Sequence, residues 1–386
     1  MKIGIIGAGR LGICFALLCE AAGYEVVVSD IREDYVNDLN NRKIITTEPE
    51  VENLLKVAKN FKATTNNKEL ISECDIIYTL VATPSYDDGK YDVTSVDVVV
   101  DDVLESDNIS NKSFIVGCTT NPGDCDRWAE KLNEHNVSVY YNPEFIAQGS
   151  IISDLRNADM VLLGCDLSRD PNIIEQITEL YKKIQKNRVI VCTVTRKAAE
   201  ITKIAINCFL TTKISYANML GDVLHLAGCG DEITSVLSAI GTDNRIGRKY
   251  LNWGVGYGGP CLPRDNRAFA AFANDVGIEY NLGLVVDNIN NEHSEFVCGY
   301  WEKMNSKNLP FYFDYITYKK GTDILIESQQ FRLCDDLLDR GHRVYVHNDS
   351  RVTPKINDKL ISKYGDRVKF VDRMENITEP IFIVNL

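Results

Sequence analysis

Apolar positions in the first half of the chain form short runs that alternate with longer amphipathic segments. The segments, of which Arg10–Ala22 is one, have the periodicity of helices. Strand and helix in alternation predict a mostly parallel sheet with helices on both faces. The predicted strands are Lys2–Ile6, Glu25–Ser29, Asp75–Val81, Ser113–Cys118, Val137–Tyr141, Met160–Gly164 and Arg188–Cys192.

The pattern changes after about Arg196. Residues 196–228 predict one long helix that ends at Gly228, and more helix follows to about Lys303, interrupted by the glycine-rich stretch Gly254–Gly259. The alternation then returns, with strands at Phe311–Tyr318, Arg343–His347, Val368–Val371 and Ile381–Val384 and a helix at Glu327–Arg340. The predicted fold class is α/β, with two Rossmann-like doubly wound parallel-sheet domains joined by a long central helix and a helical middle domain. The expected domains are 1–195, 196–303 and 304–386.

Composition excludes several classes of function. A net charge of -13 over 386 residues argues against nucleic acid as a partner. Apolar stretches fall short of the roughly 18 residues that a membrane helix needs, so no membrane partner is expected. Twelve cysteines without a predicted signal peptide favour free thiols in a reducing, cytoplasmic compartment, and no CxxC pair occurs. The five histidines form no cluster with ligand spacing, so no metal site is predicted.

The first candidate site is the segment Gly7-Ala8-Gly9-Arg10-Leu11-Gly12, which follows the first strand and opens a helix. Its glycines permit a tight turn, close approach of a diphosphate and close packing of helix on strand. The apolar run Ile3–Leu18 resembles a signal peptide, but these glycines explain it better. The next strand ends in Asp30, which can accept hydrogen bonds from both ribose hydroxyls and would repel a 2'-phosphate. NAD is therefore favoured over NADP, although Arg32 lies nearby; the alternative is a glycine turn with no ligand.

The second candidate site is Cys261, at the end of the glycine-rich stretch. Four glycines would let the chain wrap closely around a ligand. Pro263 fits the first position of a helix to about Asp275. Cys261 would then precede a helix N-terminus, whose dipole favours the thiolate. From position alone it could equally be one more small buried residue.

A third candidate lies on the long helix, where Glu200, Lys203, Asn207 and Thr211 share one face. Lys203 and Asn207 are four residues apart, so they could donate hydrogen bonds to one developing oxyanion. The pattern alone favours the simpler interpretation, which is a stripe that faces solvent.

Together these segments resemble the UDP-glucose/GDP-mannose dehydrogenase family. The resemblance extends through nearly the whole chain, and several ordered motifs at matching intervals are far more specific than any one of them. Besides the segments above, the motifs are Val81–Pro84 with Asp88-Gly89, Thr119-Thr120 with Pro122-Gly123, Asn142–Phe145, Ala199–Lys203 with Asn207, Asn244–Gly247, Gly258–Asp265, and Tyr318-Lys319 with Thr322-Asp323 and Glu327-Ser328.

The resemblance implies a four-electron oxidation of the C6 alcohol of a nucleotide sugar by NAD, through a thiohemiacetal and a thioester on Cys261. It implies that Lys203 and Asn207 stabilise the oxyanion. Asp265 would position the hydrolytic water with Thr119, although Thr119 and Thr120 leave a one-residue ambiguity. Glu144 would be the general acid or base. Thr83 and Thr119 would join the cofactor site.

The resemblance also implies substrate contacts and a partner. The sugar nucleotide would meet Glu144, Phe145, Lys203, Asn207, Arg245, Tyr250, Tyr257, Gly258 and Lys319. Arg245 would reach into the site of a neighbouring subunit, and the long helix would form at least a homodimer. Three positions depart from the family pattern: Arg264 replaces lysine, Gln148 replaces a second glutamate, and Ile326 replaces a cofactor-facing arginine.

The motifs are most like those of the UDP-glucose branch, which gives UDP-glucuronate. GDP-mannose or a UDP-N-acetylhexosamine is an alternative substrate. A simple two-electron dehydrogenase of hydroxy acids or hydroxyacyl-CoA would need no thiol. A non-catalytic binder of nucleotide sugars is the third class, favoured only by Ile326 and Gln148.

Overall fold

The computed structural model describes residues 1–166 and 171–384. The chain divides into two compact units, Met1–Ile204 and Ala205–Leu386. The predicted division into three domains stays a prediction.

The first unit alternates strands and helices. In chain order its elements are β1 Lys2–Ile6, α1 Arg10–Ala21, β2 Glu25–Ser29, α2 Glu33–Asn40, α3 Val51–Val57, β3 Phe61–Thr64, α4 Asn67–Glu73, β4 Ile76–Thr79, α5 Thr94–Leu104, β5 Ser113–Val116, α6 Asp124–Asn133, β6 Ser138–Tyr141, α7 Ile151–Arg156, β7 Val161–Gly164, α8 Pro171–Ile184, β8 Val191–Val194 and the beginning of α9 Arg196–Leu226.

The strands of the first unit form one sheet in the order β3-β2-β1-β4-β5-β6-β7-β8. The pairs are parallel except that β6 and β7 are antiparallel. The predicted mostly parallel sheet is therefore confirmed. The edge strand β3 was not predicted, and the other edge strand, β8, begins three residues later than predicted.

Helices cover both faces of this sheet. On one face Ile3 and Ile5 of β1 pack with Phe15 of α1, and on the other Ile6 packs in the cluster that contains Trp128 of α6. Burying a side chain of this kind stabilises the fold by about 1.5–3 kcal/mol. The two cores keep the sheet rigid and its strand ends in fixed positions.

The second unit begins with helices and ends with a smaller sheet. Its elements are the remainder of α9, α10 Ile233–Thr242, α11 Leu262–Asp275, α12 Leu282–Met304, β9 Phe311–Phe313, α13 Gln329–Asp339, β10 Val344–His347, α14 Thr353–Tyr364, β11 Val368–Val371 and β12 Phe382–Ile383, with short 3-10 turns at Gly230–Glu232, Gly365–Arg367 and Met374–Asn376. The long helix was predicted almost to its last residue.

The strands of the second unit are all parallel, in the order β11-β10-β9-β12. The predicted strand at Phe311–Tyr318 is wrong after Phe313, because the chain turns there and the Tyr318 N–H donates to the Ile324 carbonyl at 3.0 Å. Helix α14 was not predicted. Trp301 of α12 packs edge-on against Phe313 at 6.0 Å in the core beneath this sheet.

Two features of the described residues, 1–166 and 171–384, concern membranes and metal ions. Among these residues we find no helix that is both long and apolar enough to cross a bilayer. The same part of the chain contains no group of three or more His, Cys, Asp or Glu side chains placed to hold a metal ion.

Candidate active site

Several predicted site residues of the first unit lie at the carboxyl edge of the large sheet. Strands β1, β2, β4, β5 and β6 lead into loops that carry Gly7, Asp30, Thr83, Thr119 and Glu144. Parallel strands end at the same edge, so these loops share one rim. The order of the strands reverses beside β1, with β2 on one side and β4 on the other. A reversal of this kind forms the crevice in which open α/β sheets bind ligands.

The glycine motif has the geometry of a dinucleotide turn. Gly7 has φ +97° and donates its N–H to the Ser29 carbonyl at 2.9 Å. A Cβ on Gly12 would lie 1.9 Å from the Gly7 carbonyl oxygen, so only glycine fits there. A Cβ on Gly9, which caps α1, would meet no atom within 4 Å. The first and third glycines therefore shape the turn, and the second leaves room for a diphosphate at the helix N-terminus.

Asp30 ends β2 and forms a two-pronged ion pair. Its two carboxylate oxygens accept hydrogen bonds from Nε and Nη2 of Arg32 at 2.8 and 2.9 Å. Burial raises the pKa of Asp30, but these hydrogen bonds outweigh it and the net pKa is lowered. Arg32 is thus the partner of Asp30 rather than an independent cation. The other two residues of the glycine motif have partners within the protein. Leu11 packs against the core, and Arg10 donates a hydrogen bond to the Thr47 hydroxyl at 3.3 Å.

Replacing Asp30 with asparagine is expected to weaken NAD selectivity. The change removes the charged acceptor for the ribose hydroxyls and releases Arg32 toward a 2'-phosphate. Charge-assisted hydrogen bonds are worth about 1.5–3 kcal/mol, so kcat/KM for NAD should fall about 10- to 150-fold relative to NADP. Rates with both cofactors measure this. Arg32→Ala is the matched control and should keep the preference for NAD; equal loss with both cofactors in Asp30→Asn would contradict the assignment.

Glu144 follows β6 and has a strongly perturbed acidity. Burial raises the pKa of its carboxyl to about 7, although the hydroxyl of Tyr181, which donates to Oε1, and the charge of Lys203 oppose the rise. The Lys203 ammonium donates to the Glu144 carbonyl at 2.9 Å and lies 4.7 Å from the ring centre of Phe145. A carboxyl with a pKa near the operating pH can both accept and return a proton.

The polar stripe of α9 does not face solvent. The four side chains Glu200, Lys203, Asn207 and Thr211 are all buried, whereas Phe209 on the other face is 64% exposed. The simpler interpretation of the sequence pattern, a solvated stripe, is therefore wrong. Each member has a polar partner within its own unit.

Glu200 is a buried carboxyl that sequence reasoning left out of the site. It accepts hydrogen bonds from the Thr120 hydroxyl at 2.9 Å, the Gly123 N–H at 2.6 Å and the Cys125 N–H at 2.9 Å. It therefore caps α6 and ties α9 to the loop after β5. Burial raises its pKa to about 7 despite these donors. Its place on the polar stripe of α9 was the available signal.

The two threonines that the sequence left ambiguous have different surroundings. The Thr119 carbonyl accepts a hydrogen bond from the Thr83 hydroxyl at 2.8 Å. The Thr120 side chain is buried against Glu200. The two cofactor candidates Thr83 and Thr119 are thus in direct contact at the rim.

In the second unit Cys261 is the N-cap residue of α11, and two of the residues predicted to work with it, Asp265 and Asn207, are hydrogen-bonded to each other at the first turn of that helix. The helix begins at Leu262, so Pro263 occupies its second position rather than the predicted first. The Asp265 N–H donates to the Cys261 carbonyl at 2.9 Å. The Asp265 carboxylate is buried and accepts from Nδ2 of Asn207 at 2.6 Å. None of the twelve cysteines, all within the described ranges, forms a disulfide.

The glycine-rich stretch before Cys261 is shaped mainly by protein atoms. A Cβ on Gly256 would lie 2.3 Å from Oδ1 of Asn290, and one on Gly258 would lie 2.3 Å from the Glu327 carbonyl oxygen. A Cβ on Gly259 would lie 2.4 Å from the ring of Tyr318. At these three positions glycine is required by protein packing, so the expectation that all four glycines make room for a ligand needs correction.

The predicted substrate residues of the second unit differ in their surroundings. Tyr257 is buried, and its hydroxyl donates to Asp287 at 2.9 Å. Arg245 is exposed and pairs with Asp243 at 2.6 Å. Tyr250 and Lys319 are exposed, the former with φ +61°. Lys319 follows Tyr318, whose ring closes over Gly259. Ile326, at the position of the family arginine, is 63% exposed.

Comparisons with known proteins agree with this fold and identify the family. Residues 1–185 match the UDP-glucose/GDP-mannose dehydrogenase family, NAD binding domain, and residues 197–292 match the family's central domain. A UDP-glucose 6-dehydrogenase of Pseudomonas aeruginosa is 28% identical, over 95% of this chain and 82% of that protein.

Two solved structures of dehydrogenases are similar to this chain. A UDP-glucose dehydrogenase of Pyrobaculum islandicum is 26% identical with a TM-score of 0.85, over 99% of this chain and 89% of that one. A UDP-D-ManNAc dehydrogenase of Pyrococcus horikoshii shares the fold at 22% identity and a TM-score of 0.76, over 99% of this chain and 97% of that one.

An NAD-binding sheet and a helical unit with a cysteine at a helix N-cap position are the features of a dinucleotide-dependent oxidoreductase. The chain belongs to the UDP-glucose/GDP-mannose dehydrogenase family, whose members are NAD-dependent dehydrogenases of nucleotide sugars.

Proposed function

We propose that this protein oxidises UDP-glucose to UDP-glucuronate, with Cys261 as the nucleophile. One observation supports this most directly. Cys261 is the N-cap residue of α11. One turn further on, the buried carboxylate of Asp265 accepts a hydrogen bond from the Asn207 side chain. A thiol, an acid group and an amide donor in one cluster are the groups that thioester formation and hydrolysis need.

The reaction proceeds in four steps. NAD, when bound, accepts a hydride from C6 in each of two successive oxidations. The first leaves an aldehyde and releases the alcohol proton. The Cys261 sulfur then adds to the aldehyde carbon, and the oxygen takes up the thiol proton to give a thiohemiacetal. The second oxidation releases the hydroxyl proton of the thiohemiacetal and leaves a thioester. Water then adds to the thioester carbon and the carbon–sulfur bond breaks, which gives the carboxylate, a proton and the free thiol.

The remaining residues stabilise charge and move protons. Lys203 and Asn207 donate hydrogen bonds to the oxygen that bears the developing negative charge; losing one such donor costs about 3–4 kcal/mol of barrier. Glu144, with a pKa of about 7, removes the proton of the attacking water. Asp265, with Thr119, positions that water.

The nucleotide sugar itself is proposed to contact side chains from both parts of the sequence. The residues that we assign to this contact are Phe145, Tyr250, Tyr257, Gly258 and Lys319. We propose that Arg245 reaches the nucleotide sugar in the site of a neighbouring subunit. The 4.7 Å contact between Lys203 and Phe145 supports a platform for the sugar, and the exposure of Arg245 leaves it available to a second copy.

A homodimer is part of the proposal. Large apolar side chains of α9 are exposed along the helix, and contiguous patches of this kind mark protein interfaces. The residues are Phe209, Tyr216, Met219, Val223 and Leu226.

A panel of nucleotide sugars tests the substrate. UDP-glucose should give the highest kcat/KM among UDP-glucose, GDP-mannose and UDP-N-acetylhexosamines, with two NADH per sugar consumed. A higher kcat/KM with another sugar, at two NADH each, would replace the substrate but keep the chemistry. One NADH per sugar would contradict the thioester.

A further inference from the structure

A cluster of four polar side chains holds the chain that leads to Cys261. We call it the loop clasp: Asn218 and Asp222 of α9, and Asn290 and His293 of α12. Asn218 accepts the Gly254 N–H at 3.0 Å, and Asn290 accepts the Tyr257 N–H at 2.9 Å and donates to the Tyr257 carbonyl at 3.1 Å. The clasp thus fixes the backbone of residues 254–257.

The Asp222–His293 pair is the charged part of the loop clasp. Nδ1 of His293 lies 2.7 Å from Oδ2 of Asp222, and Nε2 lies 2.6 Å from the Gly254 carbonyl oxygen. The other carboxylate oxygen of Asp222 accepts from Nε1 of Trp253 at 2.9 Å. His293 is buried, so these two acceptors are its polar surroundings.

This geometry requires a particular protonation state. A carboxylate oxygen and a carbonyl oxygen both only accept, so His293 satisfies both only when each ring nitrogen carries a proton. A neutral imidazole would donate to one oxygen and turn a lone pair toward the other. The complete clasp therefore contains an imidazolium next to a carboxylate.

We propose that Asp222 and His293 are positioning residues for Cys261, and that the clasp holds the loop fully only while His293 is protonated. The inference rests on the proposed function for its catalytic consequence. The clasp holds the first part of the segment from Gly254 to Gly259, whereas at its end the Gly259 N–H donates to the Glu327 carbonyl at 3.2 Å. Cys261, the N-cap residue of α11, lies two residues after the segment ends.

Other charges around the pair come from the helices. Glu292 and Glu295 of α12 line the same groove as Asp222 and His293, and Glu295 pairs with Arg340 at 2.5 Å. The ring of His225 of α9 lies 4.8 Å from that of Trp253. The loop itself contributes the Gly254 carbonyl and the Trp253 ring.

The variant Asp222→Asn tests whether the clasp needs a charged His293, because its side chain can form the same hydrogen bonds with a neutral His293. Its amide oxygen can accept from Trp253, and its NH2 can donate to Nδ1 of a neutral His293, whose Nε2–H still donates to Gly254. The variant clasp is therefore complete at high pH and strained at low pH, the inverse of the wild-type protein. His293→Gln removes the titration altogether.

Hydrogen exchange of the peptide 251–261 measures the clasp without substrate. After correction for intrinsic rates, protection in the wild-type protein should fall about fivefold as His293 loses its proton, which is the effect of one hydrogen bond. Protection should rise with pH in Asp222→Asn and stay flat in His293→Gln. The wild-type kcat, divided by that of Asp222→Asn, should fall over the same pH range while KM stays constant.

His342→Gln is the matched control, because His342 also pairs with a carboxylate, Glu302, at 2.8 Å but belongs to the C-terminal core. It should leave protection of residues 251–261 unchanged. The same pH response in wild type and Asp222→Asn would overturn the proposal. If the exchange result holds but the kcat ratio stays flat, the positioning role of Asp222 and His293 is overturned, whereas the catalytic role of Cys261 is tested separately by Cys261→Ser.

Discussion

Cys261→Ser is expected to abolish uronate formation while NAD still binds with unchanged affinity. Serine keeps the size of the residue and its place at the cap of α11, but its hydroxyl is a far weaker nucleophile toward the aldehyde. Removing a catalytic nucleophile costs on the order of 10⁶ in kcat in well-studied hydrolases, so a loss of at least about 10³ is expected here. The first oxidation needs no sulfur, so the variant should release at most one NADH per sugar.

Two measurements check this expectation together. Chromatography quantifies the uronate, and fluorescence titration follows NAD binding to the sheet unit. Cys229→Ser is the matched control, because Cys229 is an exposed thiol of the same unit that caps only a short turn. It should retain normal turnover. Undiminished uronate formation in Cys261→Ser would remove the thioester and favour a two-electron dehydrogenase.

The sequence was most informative where local chemistry determines local structure. Strands β1 and β2 were predicted to the residue, because each contains a run of buried residues, mostly apolar, between clear turn signals. Edge strand β3 escaped detection because its four residues alternate buried and exposed, with Lys62 pointing outward. Strand β8 was misplaced because its partly exposed residues continue an apolar run that begins before it. Position in the sheet, which decides both cases, is a tertiary property.

The site was predictable where a motif requires a conformation. Gly7 and Gly12 could be assigned because the turn and the helix contact exclude side chains. The burial of the α9 stripe could not be inferred from the helix alone, since whether a polar face is solvated depends on what packs against it. The same limit applies to Gly258, whose close neighbour is the carbonyl of Glu327, 69 residues further along the chain. Helical spacing identified Glu200, but only the fold shows that it caps α6.

Glu144→Gln is expected to stop the reaction after the second oxidation, with the acyl group left on Cys261. The amide cannot remove a proton from water, and loss of a general base typically costs 10²- to 10⁴-fold. A burst of two NADH per site should therefore precede a turnover rate about 10²–10⁴-fold lower. Intact-protein mass spectrometry should detect the sugar nucleotide attached to the enzyme.

The pKa of Glu144 sets the pH dependence of the same step. Burial raises that pKa to about 7, and the base works as the carboxylate, so the hydrolysis rate should fall about tenfold per pH unit below 7. Tyr181→Phe removes the hydrogen bond that lowers the pKa of Glu144. The acid limb of the pH–rate profile, where the rate falls as the base becomes protonated, should therefore move to higher pH. Glu200 also has a pKa of about 7 but only caps α6, so Glu200→Gln should leave the acid limb in place even where it lowers stability. If Glu200→Gln shifted the acid limb instead, Glu200 rather than Glu144 would be the base. Both carboxyls are buried in the same unit, so only the comparison of the variants separates their titrations.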